Sequence, residues 1–188
     1  MRIIAGENRG LKLATPRGRE VRPILDRVRE SLFGILRNDV PGAHVADLFA
    51  GTGVIGLEAL SRGATSCLFV ERDQSCVATI AENIRRARRE DPTEVVRADV
   101  FRSDRLLAES GPFDLVFVDP PYRLLRSPSN AAKVEGLVAR LGDESVLATG
   151  GTVVLRFPAD VRVPSPIGPL TQVDRRRYGG MKVAFFTR

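Results

Sequence analysis

Along this chain, short blocks of consecutive apolar residues alternate with segments in which apolar positions recur every three or four residues. The continuous blocks are Val45 to Phe49, Cys67 to Glu71, Val95 to Ala98, Phe113 to Val118 and Gly151 to Phe157. Such runs suit strands of a parallel sheet buried on both faces. Between them, Val54, Ile55, Leu57, Ala59 and Leu60 have helical spacing, as do Val77, Ile80, Ala81 and Ile84. Ser75 is the expected cap of the second of these helices, Ser103 opens a short helix, and a further helix ends at Leu141 after a polar loop from Arg123 to Asn130. Nearer the start, a helix is predicted from Asp26 as its N-cap, with Val28, Leu32, Ile35 and Leu36 on one face. That helix is expected to lie against the main domain and close one side of a pocket. Residues 1–16 read as a hairpin in which Ile3-Ile4 and Leu11, Leu13 flank the turn-rich Gly6 to Gly10. Pro158 to Pro169 holds four prolines and cannot be regular. Thr171 to Arg176 and Lys182 to Thr187 read as a final antiparallel pair across Tyr178-Gly179-Gly180-Met181. Strand and helix alternating in this way imply a parallel sheet covered on both faces.

Composition narrows the class. The 188 residues are 43% hydrophobic and 28% charged, and no apolar run approaches the roughly 20 residues of a membrane span. A soluble protein with no membrane partner is expected. The amino terminus has no apolar core of a signal peptide, so the expected compartment is the cytoplasm. Two cysteines, Cys67 and Cys76, and the single His44 make no zinc set, and no metal is expected. Both thiols are expected in the core. A formal charge of +6 and a pI near 10.1 favour a polyanionic partner, because phosphate backbones reward cations through counterion release. The arginines gather in residues 2–37, in Arg85-Arg86-Ala87-Arg88-Arg89 and in Arg175-Arg176-Arg177.

In an open sheet of this kind, ligands bind outside the carboxyl ends of the strands. Asp47, Glu71, Asp99 and Asp119 all fall at or near such ends. Gly51-Thr52-Gly53 turns the chain from a strand into a helix, placing free N–H groups and the positive end of the helix dipole beside a ligand. Gly51, Gly53 and Gly56 match G-x-G-x-x-G, and Glu71 follows Gly51 by 20 residues, as in a dinucleotide fingerprint. Asp47 just before the turn opposes that reading, since it would repel a pyrophosphate but welcome an ammonium. Asp119-Pro120-Pro121-Tyr122 opposes it too, having no use in hydride transfer.

Residues 47–64, the VERD of 70–73, the RADVF of 97–101 and the DPPY of 119–122 resemble the motifs of class I S-adenosylmethionine-dependent methyltransferases. MRIIAGENRGLKLATP, RPILDRVRESLFGIL and RRRYGG are similar to RsmD-type 16S ribosomal RNA guanine-N2 methyltransferases, over nearly the whole chain. Ile24 departs from the pattern, where threonine is usual, and so does Gly34, where asparagine is usual. The resemblance implies an α/β, Rossmann-like fold: a seven-stranded, mostly parallel sheet with an antiparallel last strand. It divides the chain into an N-terminal β-hairpin, 1–21, for RNA binding and a methyltransferase domain, 22–188.

The same resemblance implies a site for S-adenosylmethionine, released as S-adenosylhomocysteine, at Asp47, Phe49, Gly51, Thr52, Gly53, Glu71, Arg72, Asp99 and Val100. There Glu71 takes the ribose hydroxyls, Asp99 the adenine amine, and Asp47 the methionine ammonium, directly or through water. Asp119, Pro120, Pro121 and Tyr122 are the implied catalytic residues. An exocyclic amine is a weak nucleophile because its lone pair is delocalised into the ring. Acceptors at Asp119 and the Pro120 carbonyl would orient it, and Tyr122 would stack an extruded base. Arg2, Arg9, Lys12, Arg17, Arg19, Arg22, Arg27, Arg86 and Arg176 are expected to bind RNA phosphates. The expected partner is 16S rRNA within an assembled or assembling 30S subunit, engaged by a monomer. The alternatives are methylation of adenine N6 or a protein amide, a non-catalytic RNA-binding or assembly factor, and an NAD-linked oxidoreductase.

Overall fold

The computed structural model describes residues 1–16, 24–91 and 93–188. The chain is α/β, its seven strands forming one mixed sheet, and it divides into two compact units, Met1–Asp99 and Val100–Arg188.

The first unit carries α1 (Asp26–Ile35), β1 (His44–Leu48), α2 (Val54–Ser61), β2 (Ser66–Glu71), α3 (Gln74–Ala87) and β3 (Thr93–Arg97). Its strands run parallel in the order β3-β2-β1, with Asp47 opposite Phe69 and Phe69 opposite Val95. Val45, Ala46, Leu48, Leu68, Phe69 and Val70 are buried, as continuous apolar runs covered on both faces require. β3, at the edge, is only half-buried.

The helices differ in detail from their periodicity. In α1 the N-cap is Leu25, and Asp26 lies inside the first turn. Ile35 is 36% exposed, while Arg29 and Phe33 join Val28 and Leu32 in the interior. The reason is what α1 meets: Glu58 of α2 pairs with Arg29, and Arg62 lies 4.9 Å from the centre of the Phe33 ring. In α3 the cap is Asp73, whose carboxylate accepts from the N–H groups of Ser75 and Cys76; Ser75 lies within the helix. All eight residues of α2 are buried, including the charged Glu58, because the amino-terminal loop covers the side that periodicity leaves outward.

That loop is closed by an antiparallel bridge between Arg2 and Lys12. Glu58 accepts from the N–H groups of Ile4 and Ala5, and Ser61 bonds Ala5, Glu7 and Asn8. Gly6, at φ +80°, touches α2 so closely that an added Cβ would lie 1.7 Å from the Ser61 carbonyl oxygen. Asn83 of α3 holds Ala14 through both its amide and its carbonyl. The first sixteen residues are therefore strapped across α2 and α3.

The second unit opens with a 3₁₀ turn, Val100–Arg102, followed by α4 (Asp104–Ser110), β4 (Phe113–Val118), α5 (Tyr122–Arg126), α6 (Pro128–Leu141), β5 (Leu147–Pro158), β6 (Thr171–Tyr178) and β7 (Met181–Thr187). Here the order is β4-β5-β7-β6, with β4 and β5 parallel and β7 antiparallel to both its neighbours. The reversed strand is the last in sequence. The segment 123–130, expected as a polar loop, is largely helical. Extended Ser127 separates α5 from α6, and Pro128 starts α6 where its missing N–H costs nothing. Leu125 and Val134 anchor the two helices in the interior.

Candidate active site

The glycine turn of the first unit is built on left-handed backbone. Gly51 and Gly53 have φ of +59° and +74°, and Phe49 holds φ at +60°, a conformation that costs a non-glycine residue free energy and persists where its surroundings impose it. Gly53 is the N-cap of α2. At Gly56 a Cβ would lie 2.4 Å from Phe69 Cε1 and 2.6 Å from Cys67 Sγ, so this glycine lets α2 rest directly on β2. At Gly51 an added Cβ would meet only the Phe49 carbonyl oxygen, at 3.9 Å. The outer face of the turn thus has room for close approach by a ligand.

The carboxylates around the turn have distinct partners. Asp47 is 1% exposed, and its Oδ2 accepts from the Gly56 N–H at 2.9 Å. It acts as a cap for α2 reaching up from β1. Burial, with the neighbouring Asp47 charge, pushes the Cys67 thiol well above the usual range; Cys67 and Cys76 are both buried. Glu71, half-buried at the end of β2, grips the turn itself. Its Oε2 accepts from Gly51 N–H at 2.9 Å, and Oε1 accepts from Arg72 and Asp73 N–H, each at 2.9 Å. A carboxylate offers about four acceptor positions, so Glu71 retains capacity for an incoming hydroxyl. Asp99, past the end of β3, is exposed, as is Arg72, while Val100 is buried. Thr52 is turned inward: its hydroxyl points at Met1 Sδ, 3.6 Å away, and its carbonyl accepts from Asn83. The open glycine face and the acceptors at the ends of neighbouring β2 and β3 fit a nucleoside with hydroxyl and amino donors.

In the second unit β4 ends in Asp119-Pro120-Pro121-Tyr122. Pro120 is buried, Pro121 is the N-cap of α5, and Tyr122 begins that helix. Asp119 Oδ1 accepts from Arg156 Nε of β5 at 2.5 Å, with the side chains 15% and 13% exposed respectively. The same guanidinium lies over the Tyr122 ring, 5.5 Å from its centre, so one face of that ring is already occupied. Burial raises the Asp119 carboxyl above the usual aspartate range, against the opposing pull of Arg156. Desolvation by burial pulls Arg156 down, but the Asp119 charge, the hydrogen bond to Asp119 and Tyr122 together raise it.

Among the basic residues, Arg9, Lys12 and Arg27 are exposed. Arg2 pairs with Asp26, Arg86 with Glu82 and Arg176 with Asp174, each remaining 45% exposed or more. Arg17, Arg19 and Arg22 lie outside the described residues. The run at 85–89 is divided: Arg89, 21% exposed, bonds Asn8 and pairs with Glu7, so it fastens the amino-terminal loop. Sequence reasoning missed four side chains that organise these regions: Arg29, Glu58, Asn83 and Arg156. The signal was present for two, since Glu58 interrupts an apolar helix and Arg156 an apolar strand.

Two concavities occur, one in each unit. One, of about 610 Å³, is lined by Leu107, Ala139 and Pro169 among others, and one of about 630 Å³ by Met1, Lys12 and Leu25 among others. Among the described residues no cluster of three metal-ligating side chains occurs, and no helix is long and apolar enough to cross a membrane.

The family described as Conserved hypothetical protein 95 matches residues 1–187. The Bacillus subtilis protein named "Putative rRNA methyltransferase YlbH" is 32% identical over 190 residues, covering 100% of this chain and 99% of its own. "Ribosomal RNA small subunit methyltransferase D" of Escherichia coli K12 is 38% identical over 152 residues, 78% of this chain and 72% of that one. Among solved structures, "Putative methyltransferase yhhF from Escherichia coli" superimposes with a TM-score of 0.82 at 31% identity, covering 100% of this chain and 97% of that one.

Proposed function

The chain belongs to the Conserved hypothetical protein 95 family, that of the RsmD-type ribosomal RNA methyltransferases, and we propose that it methylates the exocyclic N2 amine of a guanine in small-subunit, 16S, ribosomal RNA. The observation that carries this reading is the Asp119 carboxylate at the end of β4: one oxygen is held by Arg156 and the other is left for a donor. The substrate class comes from the relatives, which are named as rRNA methyltransferases.

In this reading Glu71 accepts from the ribose hydroxyls of S-adenosylmethionine and Asp99 from its adenine amine. The open face of Gly51 admits the methionine portion, while Asp47 acts indirectly by fixing the N-terminus of α2. When bound, S-adenosylmethionine supplies a methyl group on a sulfonium whose electron pair returns to sulfur, giving S-adenosylhomocysteine. Asp119 and the Pro120 carbonyl accept the two N–H hydrogens of the amine and turn its lone pair out of the ring. Most of the acceleration then comes from positioning and from electrostatics matched to the charge developing on nitrogen. The surplus proton leaves nitrogen to solvent, and no metal takes part. The exposed Arg2, Arg9, Lys12, Arg27, Arg86 and Arg176, together with Arg17, Arg19 and Arg22, supply phosphate contacts. Residues 1–21 serve as an RNA-binding extension of the methyltransferase domain 22–188. The protein acts as a cytoplasmic monomer on an assembled or assembling 30S subunit.

The test incubates the protein with radiolabelled S-adenosylmethionine and either free 16S RNA or 30S particles lacking the mark, then digests the product to nucleosides. Labelled N2-methylguanosine is expected, with the particle the better substrate. Labelled N6-methyladenosine, or no label in RNA despite cofactor binding, would overturn the guanine assignment.

A further inference from the structure

Arg156 lies near the carboxyl end of β5, between the buried Leu155 and Phe157 and opposite Val183 of β7. Burying a guanidinium there is costly unless it is paired and hydrogen-bonded. Two of the four residues of the Asp-Pro-Pro-Tyr turn meet that need. Nε donates to Asp119 Oδ1 at 2.5 Å, and the guanidinium carbon lies over the Tyr122 ring, 5.5 Å from its centre. One side chain thus sets both the carboxylate and the ring. We propose, building on the function assigned above, that Arg156 is the positioning residue of the reaction: it fixes Asp119 by Oδ1 so that Oδ2 is presented to the incoming amine, and it holds Tyr122 in place as the stacking platform.

The alternative is an ordinary structural ion pair, and this molecule contains one for comparison. Glu58 faces Arg29 and Arg62 and also receives the N–H groups of Ile4 and Ala5, so both of its oxygens are engaged. Among the described residues Asp119 is held by Arg156, through one oxygen, and its side chain is still 15% exposed. A purely structural carboxylate would gain from the remaining donors that a neighbouring backbone could supply. Lysine would bring the charge but not the arrangement, because only a planar guanidinium can donate in its plane while stacking by its face. Facing Asp119 is Arg156 of β5, and facing Arg156 in addition is Tyr122 of α5. Burial already favours the protonated carboxyl, and Arg156 is the group that opposes it. Without Arg156, the protonated form would persist to higher pH, and a protonated carboxyl is a poorer acceptor.

Arg156→Met and Arg156→Lys, compared with the unaltered protein, test this. Three quantities are read: the pH dependence of kcat, the titration of the Asp119 carboxyl by ¹³C NMR, and affinity for S-adenosylmethionine. For Arg156→Met, kcat is expected to fall roughly 10- to 100-fold, as for a misplaced reacting group, with cofactor affinity unchanged. Its Asp119 titration and the acid limb of the kcat profile should move together to higher pH. Arg156→Lys should bring the titration back towards its original position while kcat recovers only in part. An unaltered kcat and acid limb in Arg156→Met, or an unmoved Asp119 titration, overturns the proposal. Should Arg156→Met fail to fold, full kcat in Arg156→Lys overturns it equally. If the unaltered protein transfers no methyl group to RNA, the proposed function falls, and the Asp119 titration still decides whether Arg156 governs that carboxylate.

Discussion

Each unit of this protein buries an arginine against a carboxylate, and the two pairs are finished differently. Arg29 and Glu58 have no exposed side-chain surface, and Glu58 receives two backbone N–H groups and two arginines. Asp119 and Arg156 keep 15% and 13% exposure, and one hydrogen bond joins them. A buried carboxylate with both oxygens engaged, here by two backbone N–H groups and two arginines, holds chain segments together. One with an oxygen to spare, next to a rigid Pro-Pro turn, is prepared for a donor that arrives later. How far the carboxylate's own oxygens are engaged, more than burial, separates scaffold from candidate chemistry here, even though Nε and Nη1 of Arg29 have no hydrogen-bond partner among the described residues.

Breaking the Arg29–Glu58 pair should have the largest effect. Glu58→Ala leaves the buried Arg29 with the half-exposed Asp26 as its counter-charge and strips the acceptors from Ile4 and Ala5, so a loss of about 3–5 kcal/mol is expected. Urea unfolding measures it, and limited trypsinolysis should show cleavage near Arg9 as the loop lifts from α2. A loss within that of an ordinary surface substitution would mean that the amino-terminal loop is held by other contacts. Asp119→Ala comes next: turnover should fall roughly 100- to 1,000-fold, the range for removing one preorganised electrostatic partner. Binding of S-adenosylmethionine, whose candidate partners are chiefly in the first unit, should persist in the same variant. A variant that still methylates at the original rate would show that the amine is not held there. The smallest effect belongs to an exposed pair. Arg86 and Glu82 are 45% and 44% exposed, so Arg86→Ala should change stability by about 0–1 kcal/mol. Its affinity for 16S RNA should fall, with the slope of log K against log salt shallower by about one contact. An unaltered salt slope would remove Arg86 from the RNA surface.

Much of this was legible beforehand, for reasons that differ between elements. The strands at 45–48, 67–71 and 113–118 were readable because burial on both faces leaves a continuous apolar run. The glycine turn was readable because left-handed backbone at Gly51 and Gly53 excludes most side chains. The cap of α3 was misplaced from Asp73 to Ser75, two residues away, because either residue type can serve and only the backbone geometry selects. The polarity of residues 123–130 reads as a loop and hides an anchor, Leu125, that is buried in α5.

What the sequence alone determined is what depends on neighbours along the chain: the alternation of strand and helix, the glycine turn, the rigid Asp-Pro-Pro-Tyr end of β4, and the likeness to RsmD-type methyltransferases. Only the tertiary structure decided the partners of the buried polar groups. Arg29 meets Glu58, Asn83 meets Ala14, and Arg156 meets Asp119, each across a separation in sequence that no local period spans. A charged residue in a helix or strand reads as solvated until the fold supplies its counterpart, because the cost of burial and the interaction that offsets it arise in the same folding event.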